Sequence, residues 1–100
     1  MAEAVEDIVI ARDEGETKGR YSASVDGHVA EMTYTRSGER TIIIDHTGVP
    51  SALAGRGVGT ALVARAVADA RSEGRSIIPL CPFAKATIAK RPEWQDVLRR

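Results

Sequence analysis

The sequence predicts an α/β domain in which an antiparallel β-meander precedes one long helix, a short strand and short C-terminal helices. Three observations carry this expectation. Polar and apolar residues alternate between Arg20 and Thr47 around two turn signals, apolar residues recur at helical spacing from Val58 to Ala70, and Ile77-Ile78 follows directly before Pro79.

Val5 to Arg12 reads as a short strand, and Asp13 to Gly19 is charged and glycine-containing enough to read as a loop. Arg20 to Val25 alternates so that Tyr21, Ala23 and Val25 face inward. Asp26-Gly27 suits the left-handed angles of a tight hairpin, and His28 to Tyr34 resumes the alternation antiparallel to the preceding strand. Arg36 to Glu39 is a second turn, and Thr41 to Thr47 is β-prone through three consecutive isoleucines. After Pro50 the pattern changes. Val58, Leu62, Val63, Ala66, Val67 and Ala70 place a helix over about Gly57–Glu73, stopped by Gly74. Ser76 to Leu80 is a short strand, with Pro79 marking an edge or a strand end. Residues 83–89 form a short helix with Ile88 inward, and Pro92 starts another that docks Trp94, Val97 and Leu98.

Length and composition narrow the class. One hundred residues make a single domain, residues 1–100, and 43 % apolar with 28 % charged residues is too apolar and too periodic for disorder. Residues 1–50 hold ten acids and five bases, residues 51–100 four acids and nine bases, and the total is neutral. The basic half can hold a small polyanion or pair with the acidic half, whereas duplex nucleic acid would call for an overall basic domain, so no nucleic-acid partner is expected. No segment approaches the ~20 apolar residues that cross a bilayer, so no membrane association is expected. The acidic N-terminus lacks an apolar core or Arg-rich transit pattern, and a cytoplasmic location is the default. Cys81 is the one cysteine, which excludes an internal disulfide and a multi-thiolate metal site. Its separation from His28 and His46 shows no compact ligand spacing, so no metal is expected.

The most informative segment is Leu53-Ala54-Gly55-Arg56-Gly57-Val58-Gly59-Thr60, between a strong strand and a strong helix. Its glycines allow a tight turn and close approach of a ligand. The helix start offers unpaired N–H groups and partial positive charge to phosphate oxygens, and Arg56 adds a charged donor. The other reading is a tight turn with close helix packing. A Walker motif is excluded because no Gly-Lys-Ser or Gly-Lys-Thr follows, and a preceding meander disfavours the dinucleotide pattern.

The run Gly55-Arg56-Gly57-Val58-Gly59 and the helix after it resemble the acetyl-CoA signature of the GCN5-related N-acetyltransferase superfamily. More closely, the order Asp45-His46-Thr47, Val49-Pro50, the glycine loop, Pro79-Leu80-Cys81-Pro82-Phe83 and Arg91-Pro92-Glu93-Trp94 resembles its small, single-domain YjdJ-like branch, over residues 20 to 98. The resemblance implies an acyl-CoA N-acyltransferase-like fold, a splayed strand admitting the pantetheine arm, and acetyl-CoA (CoA) as cofactor. It further implies cofactor contacts at Val49, Gly55, Arg56, Gly57, Val58, Gly59 and Thr60, and acetyl transfer to a primary amine on a small molecule or a protein. Two departures stand out: Ala54 replaces a common Gln or Arg, and Gly48 replaces a common Glu after His-Thr.

Cys81 and His46 are the catalytic candidates. By itself a lone cysteine reads as a packed thiol, whereas the resemblance places Cys81 in a Pro-Leu-Cys-Pro motif, where it would carry the acetyl group transiently or stand beside a direct transfer. His46 is a general base by chemistry, since imidazole titrates near neutrality, or else a solvated residue; strict alternation puts Asp45 and Thr47 on the face opposite to it. His28, Lys85 and Lys90 read as solvated. Alternation sends Tyr21 and Tyr34 to the core rather than to proton donation; Phe83 reads as a cover for the cofactor arm or as core, Trp94 as an anchor of the terminal helix or as core, and packing is the preferred reading for both. Two other functions fit the same residues: a CoA-binding module without efficient transfer, and an adaptor whose acidic meander binds a basic partner.

Overall fold

A computed structural model describes residues 8–99. Five strands form one sheet in sequence order: β1 (Ile10–Glu14), β2 (Lys18–Val25), β3 (His28–Ser37), β4 (Thr41–Gly48) and β5 (Ser76–Pro79). The first four pair antiparallel and β5 lies parallel to β4. Between them run a short 3-10 helix, Ser51–Leu53, and the long helix α1 (Val58–Glu73); α2 (Pro82–Ala89) and a 3-10 helix, Pro92–Val97, follow. The mixed α/β architecture, a meander followed by a long helix, a strand that leaves its neighbour and short C-terminal helices, is the one the sequence led us to expect.

The hairpin between β2 and β3 closes on Asp26 and Gly27 at φ +51° and +80°, so both central residues take the positive φ values of a two-residue turn. α1 ends where expected, with Gly74 at φ +70° and its N–H bonded to the carbonyls of Ala70 and Arg71. The side chains of Tyr21, Ala23, Ala30, Met32, Tyr34, Ile42 and Ile44 form one sheet face of the core, and Leu62, Val63, Ala66 and Val67 of α1 cover it. Ile77, Ala84, Ile88 and Val97 complete the same cluster. The predicted inward positions Tyr21, Ala23 and Ile88 are buried, while Val25 is half-buried.

The N-terminal strand differs from the expectation. It continues through Glu14, and residues 5–7 of the expected strand lie outside the described residues. Arg12 and Glu14 pair with Tyr21 and Gly19 on the inner face. Inward charges break the apolar alternation that would have marked this stretch as a strand. They are tolerated because they meet partners: Arg12 bonds Asp69 at 3.3 Å and Glu73 at 2.6 Å, and Arg75 donates to Glu14 at 2.9 Å. Tyr21 donates to Asp69 at 2.8 Å and Tyr34 donates to Glu14. Of these ion pairs Glu14–Arg75 joins an acid of the first half to a base of the second, and in the Arg12 pairs the signs are reversed. A Cβ on Gly19 would overlap the Tyr34 ring, so only glycine lets that ring cross β2 to reach Glu14.

The C-terminal helix docks as expected, with Val97 in the core and Trp94 and Leu98 packed against it, but it is a 3-10 rather than an α-helix. Pro92–Val97 is a single 3-10 segment, Leu98 forms a parallel bridge with Ile77, and the Arg99 N–H donates to the Ile77 carbonyl at 2.9 Å. This covers part of the edge of β5, consistent with Pro79 at the end of that strand.

Candidate functional site

β4 and β5 pair only from Thr41 and Ser76 to Ile44 and Pro79. Beyond that point they diverge. The Leu80 and Cys81 N–H groups both donate to the Ile44 carbonyl at 3.1 Å, which turns the chain into α2, while β4 continues to Gly48. The gap opens into a cleft of about 410 Å³ lined by Thr47, Val49, Leu53 and Phe83 and by the loop residues 54, 55 and 57–60.

The glycine loop forms one wall. Gly55 and Gly57 have φ of +77° and +80°, conformations that cost a residue with a Cβ about 1–2 kcal/mol. Gly57 is the N-cap of α1 and no side chain caps the helix. The first helical bond runs from the Ala61 N–H to the Gly57 carbonyl at 2.9 Å, leaving the N–H groups of Val58, Gly59 and Thr60 without intrahelical acceptors. These uncapped donors belong to residues that line the cleft, at the positive end of a 16-residue helix. A Cβ on Gly59 would lie 2.7 Å from Phe83 Cζ and 3.3 Å from Val49 Cγ2, so only glycine lets Phe83 and Val49 pack this closely on the start of α1. Uncapped amides, left-handed glycines and apolar walls fit a cofactor that carries a diphosphate on an extended arm.

Cys81 is the N-cap residue of α2 and is buried, with Sγ donating to Thr47 Oγ1 at 3.3 Å. Burial pushes its thiol up, but the Thr47 hydroxyl and the backbone amides of Ala84, Phe83 and Thr47 outweigh burial and leave it below the usual thiol value. The thiol is therefore packed, with its acidity raised by the groups around it.

His46 lies elsewhere. Arg12, Tyr21, Met32 and Thr47 form one cross-strand row on the inner face, and Asp13, Arg20, Thr33 and His46 form the next row on the outer face. The β3–β4 register shifts between Thr33 and Tyr34, leaving Asp45 without a partner. This bulge corrects the strict alternation expected here: Asp45 shares the exposed outer face with His46, accepting a bond from Thr35 Oγ1 at 2.7 Å, and Thr47 alone turns toward Cys81. Arg56 also leaves the cleft; its guanidinium bonds Asp26 at the β2–β3 turn, 2.8 Å away. Val49, Gly55, Gly57, Val58, Gly59 and Thr60 all line the cleft together.

Phe83 departs from the packing expected of it. It sits in the first turn of α2, 41 % exposed, while Ala84 and Ile88 take the core side of that helix. Trp94 is half-buried with the Arg91 guanidinium 5.0 Å from its ring centroid. Sequence reading missed Thr47, Leu53 and the 3-10 turn that carries Leu53; Pro50 was the one local sign of a break there. A shallower hollow of about 650 Å³ on the outer face is lined by charged residues including Asp13, Lys18, Arg20 and Asp45, away from the glycine loop. Among the described residues no group of three or more His, Cys, Asp or Glu is placed to hold a metal, and no helix is long and apolar enough to cross a membrane.

A two-layer α/β fold whose parallel strand pair splays beside an uncapped glycine-rich helix start is an N-acetyltransferase-like fold. A family model described as GCN5-related N-acetyl-transferase matches residues 20–97, and the chain belongs to that family. The NMR solution structure of a GCN5-like protein from Staphylococcus aureus, described as a candidate N-acetyltransferase, is similar at TM-score 0.69 and 37 % identity, covering 89 % of this chain and 87 % of that one. No curated protein sequence matches the chain.

Proposed function

We propose that the protein binds acetyl-CoA and transfers its acetyl group to a primary amine on a small molecule or a protein. The observation that carries this reading is the uncapped start of α1, opening into a cleft that ends at Thr47 with the Cys81 thiol behind it. Acetyl-CoA, when bound, supplies a thioester carbonyl open to attack by an amine. The amides of Gly57, Val58, Gly59 and Thr60 bind and orient the diphosphate through hydrogen bonds and the helix field. Val49 and Phe83 wall the arm and exclude water from it.

Cys81 holds its proton at Sγ beside Thr47 Oγ1, and the α2 amides favour the thiolate when that proton moves. It serves either as a transient acetyl carrier or as a proton-handling group for direct transfer. His46, on the outer face of the splay, takes the proton of an acceptor amine arriving from that side.

Native mass spectrometry with acetyl-CoA and with CoA, followed by an amine screen, tests the proposal. A one-to-one complex and an acetylated amine are expected, and the absence of any complex overturns it. A second reading, a CoA-binding module without efficient transfer, is favoured by His46 standing outside the cleft and by the absence of charged side chains from its lining. It predicts the complex with no acetyl product.

A further inference from the structure

Among the described residues the cleft is lined by no charged side chain, and the one cation of the glycine loop, Arg56, lies outside that lining although its neighbours Gly55 and Gly57 are part of it. That cation is already engaged. Its Nη1 lies 2.8 Å from Asp26 Oδ2, with the two side chains 46 % and 69 % exposed. Both partners sit on rigid turns. Asp26 is the first central residue of a two-residue hairpin closed by Val25 and His28, at φ +51°. Arg56 lies between two left-handed glycines, with its N–H bonded to the Leu53 carbonyl at 3.2 Å. The pair therefore joins the tip of the β2–β3 hairpin to the phosphate-facing loop, 30 residues away in sequence.

We propose that Asp26 is a built-in competitor for Arg56: the carboxylate at the hairpin tip holds the guanidinium until a phosphate group displaces it, so the hairpin sets the affinity of the site for its anionic cofactor. The inference rests on the acetyl-CoA reading above. The exchange is feasible because an exposed ion pair of this kind is weak, whereas a diphosphate offers more negative charge and several acceptor oxygens to the same planar fork. Breaking such a pair costs the ligand roughly two- to five-fold in affinity. The contact thus tunes binding without blocking it.

The test uses Asp26→Asn, Arg56→Ala and the double variant, with CoA binding measured by calorimetry at low and high ionic strength. Asn-Gly is the preferred pair for this turn, so Asp26→Asn keeps the hairpin and removes only the charge. Asp26→Asn is expected to bind CoA roughly two- to five-fold more tightly than the parent at low salt, with the gain shrinking at high salt and vanishing in the Arg56→Ala background. Unchanged or weaker binding by Asp26→Asn overturns the proposal, the latter because Asp26 would then be positioning Arg56 for the ligand. An equal gain in the Arg56→Ala background also overturns it, since the effect would be a general field. Absence of CoA binding in both parent and Asp26→Asn overturns the acetyl-CoA reading itself, whereas binding indifferent to residue 26 overturns the competition alone.

Discussion

Gly57 and Gly38 form a matched pair that separates backbone strain from cofactor binding. Gly57 caps α1 at φ +80°, and Gly38 lies in the β3–β4 turn at φ +73° with nothing within 4 Å of where a Cβ would stand. Replacing either by alanine forces an L-residue into the left-handed region at a cost of about 1–2 kcal/mol. For a domain of this size that lowers the melting temperature of Gly38→Ala by roughly 4–16 °C. The binding consequences differ. In Gly57→Ala the loop relieves the strain by rotating the peptide units that carry the helix-start amides, and a diphosphate that needs those amides aligned must restore it. The share of the 1–2 kcal/mol relieved in the free protein is returned on binding, so Gly57→Ala melts less far below the parent than Gly38→Ala does and loses up to about 5- to 30-fold in CoA affinity. Gly38→Ala, remote from the cleft, binds as the parent does. Thermal unfolding and CoA calorimetry on the two variants decide the matter. Unchanged CoA affinity in Gly57→Ala, or an equal loss in Gly38→Ala, would refute the assignment of the amides to the diphosphate.

Glu14 is held down to about 2, chiefly by the Arg75 hydrogen bond and then by Tyr34 and Arg12 acting against burial. A carboxyl lowered on folding stabilises fully above its unfolded value near 4.5 and loses that contribution as pH falls toward 2, so the effect is about 3 kcal/mol at neutral pH. Glu14→Gln should lose most of this at pH 7 and converge with the parent in acid; urea titrations with parallel pH profiles would contradict the network. Gly19→Ala should lower the urea midpoint by the equivalent of about 1–3 kcal/mol, because the new methyl group displaces the buried Tyr34 ring, and an unchanged midpoint would count against that crowding. Thiolate absorbance of Cys81 should titrate below free cysteine and shift upward in Thr47→Val, which removes the opposing hydroxyl but leaves burial in place. In an amine-acetylation assay, Cys81→Ser should lose turnover together with a trappable acetyl-thiol if Cys81 carries the acetyl group; undiminished turnover would exclude that carrier role.

The parts of the fold legible in the chain were those in which local preference and burial agree. The Asp26-Gly27 turn, the α1 helix with its Gly74 stop and the alternating β2 and β3 strands each contain their own signal within a few residues. β1 was half hidden because Arg12 and Glu14 look inward, and their partners Asp69, Glu73 and Arg75 lie more than 50 residues later. No local pattern announces an ion pair closed by tertiary folding.

The candidate site divides in the same way. Glycine spacing at the start of α1 determines by itself where an uncapped helix start forms, because left-handed φ and uncapped N–H groups are properties of a few consecutive residues. Which side chains meet there was decided in three dimensions. A single unpaired residue, Asp45, shifts the register of β4, keeps His46 on the outer face and turns Thr47 inward to Cys81; Arg56 is drawn to Asp26 across the molecule. Side-chain direction along a strand has a period of two, so one extra residue reassigns every position after it, and only the partner strand reveals that the extra residue is present.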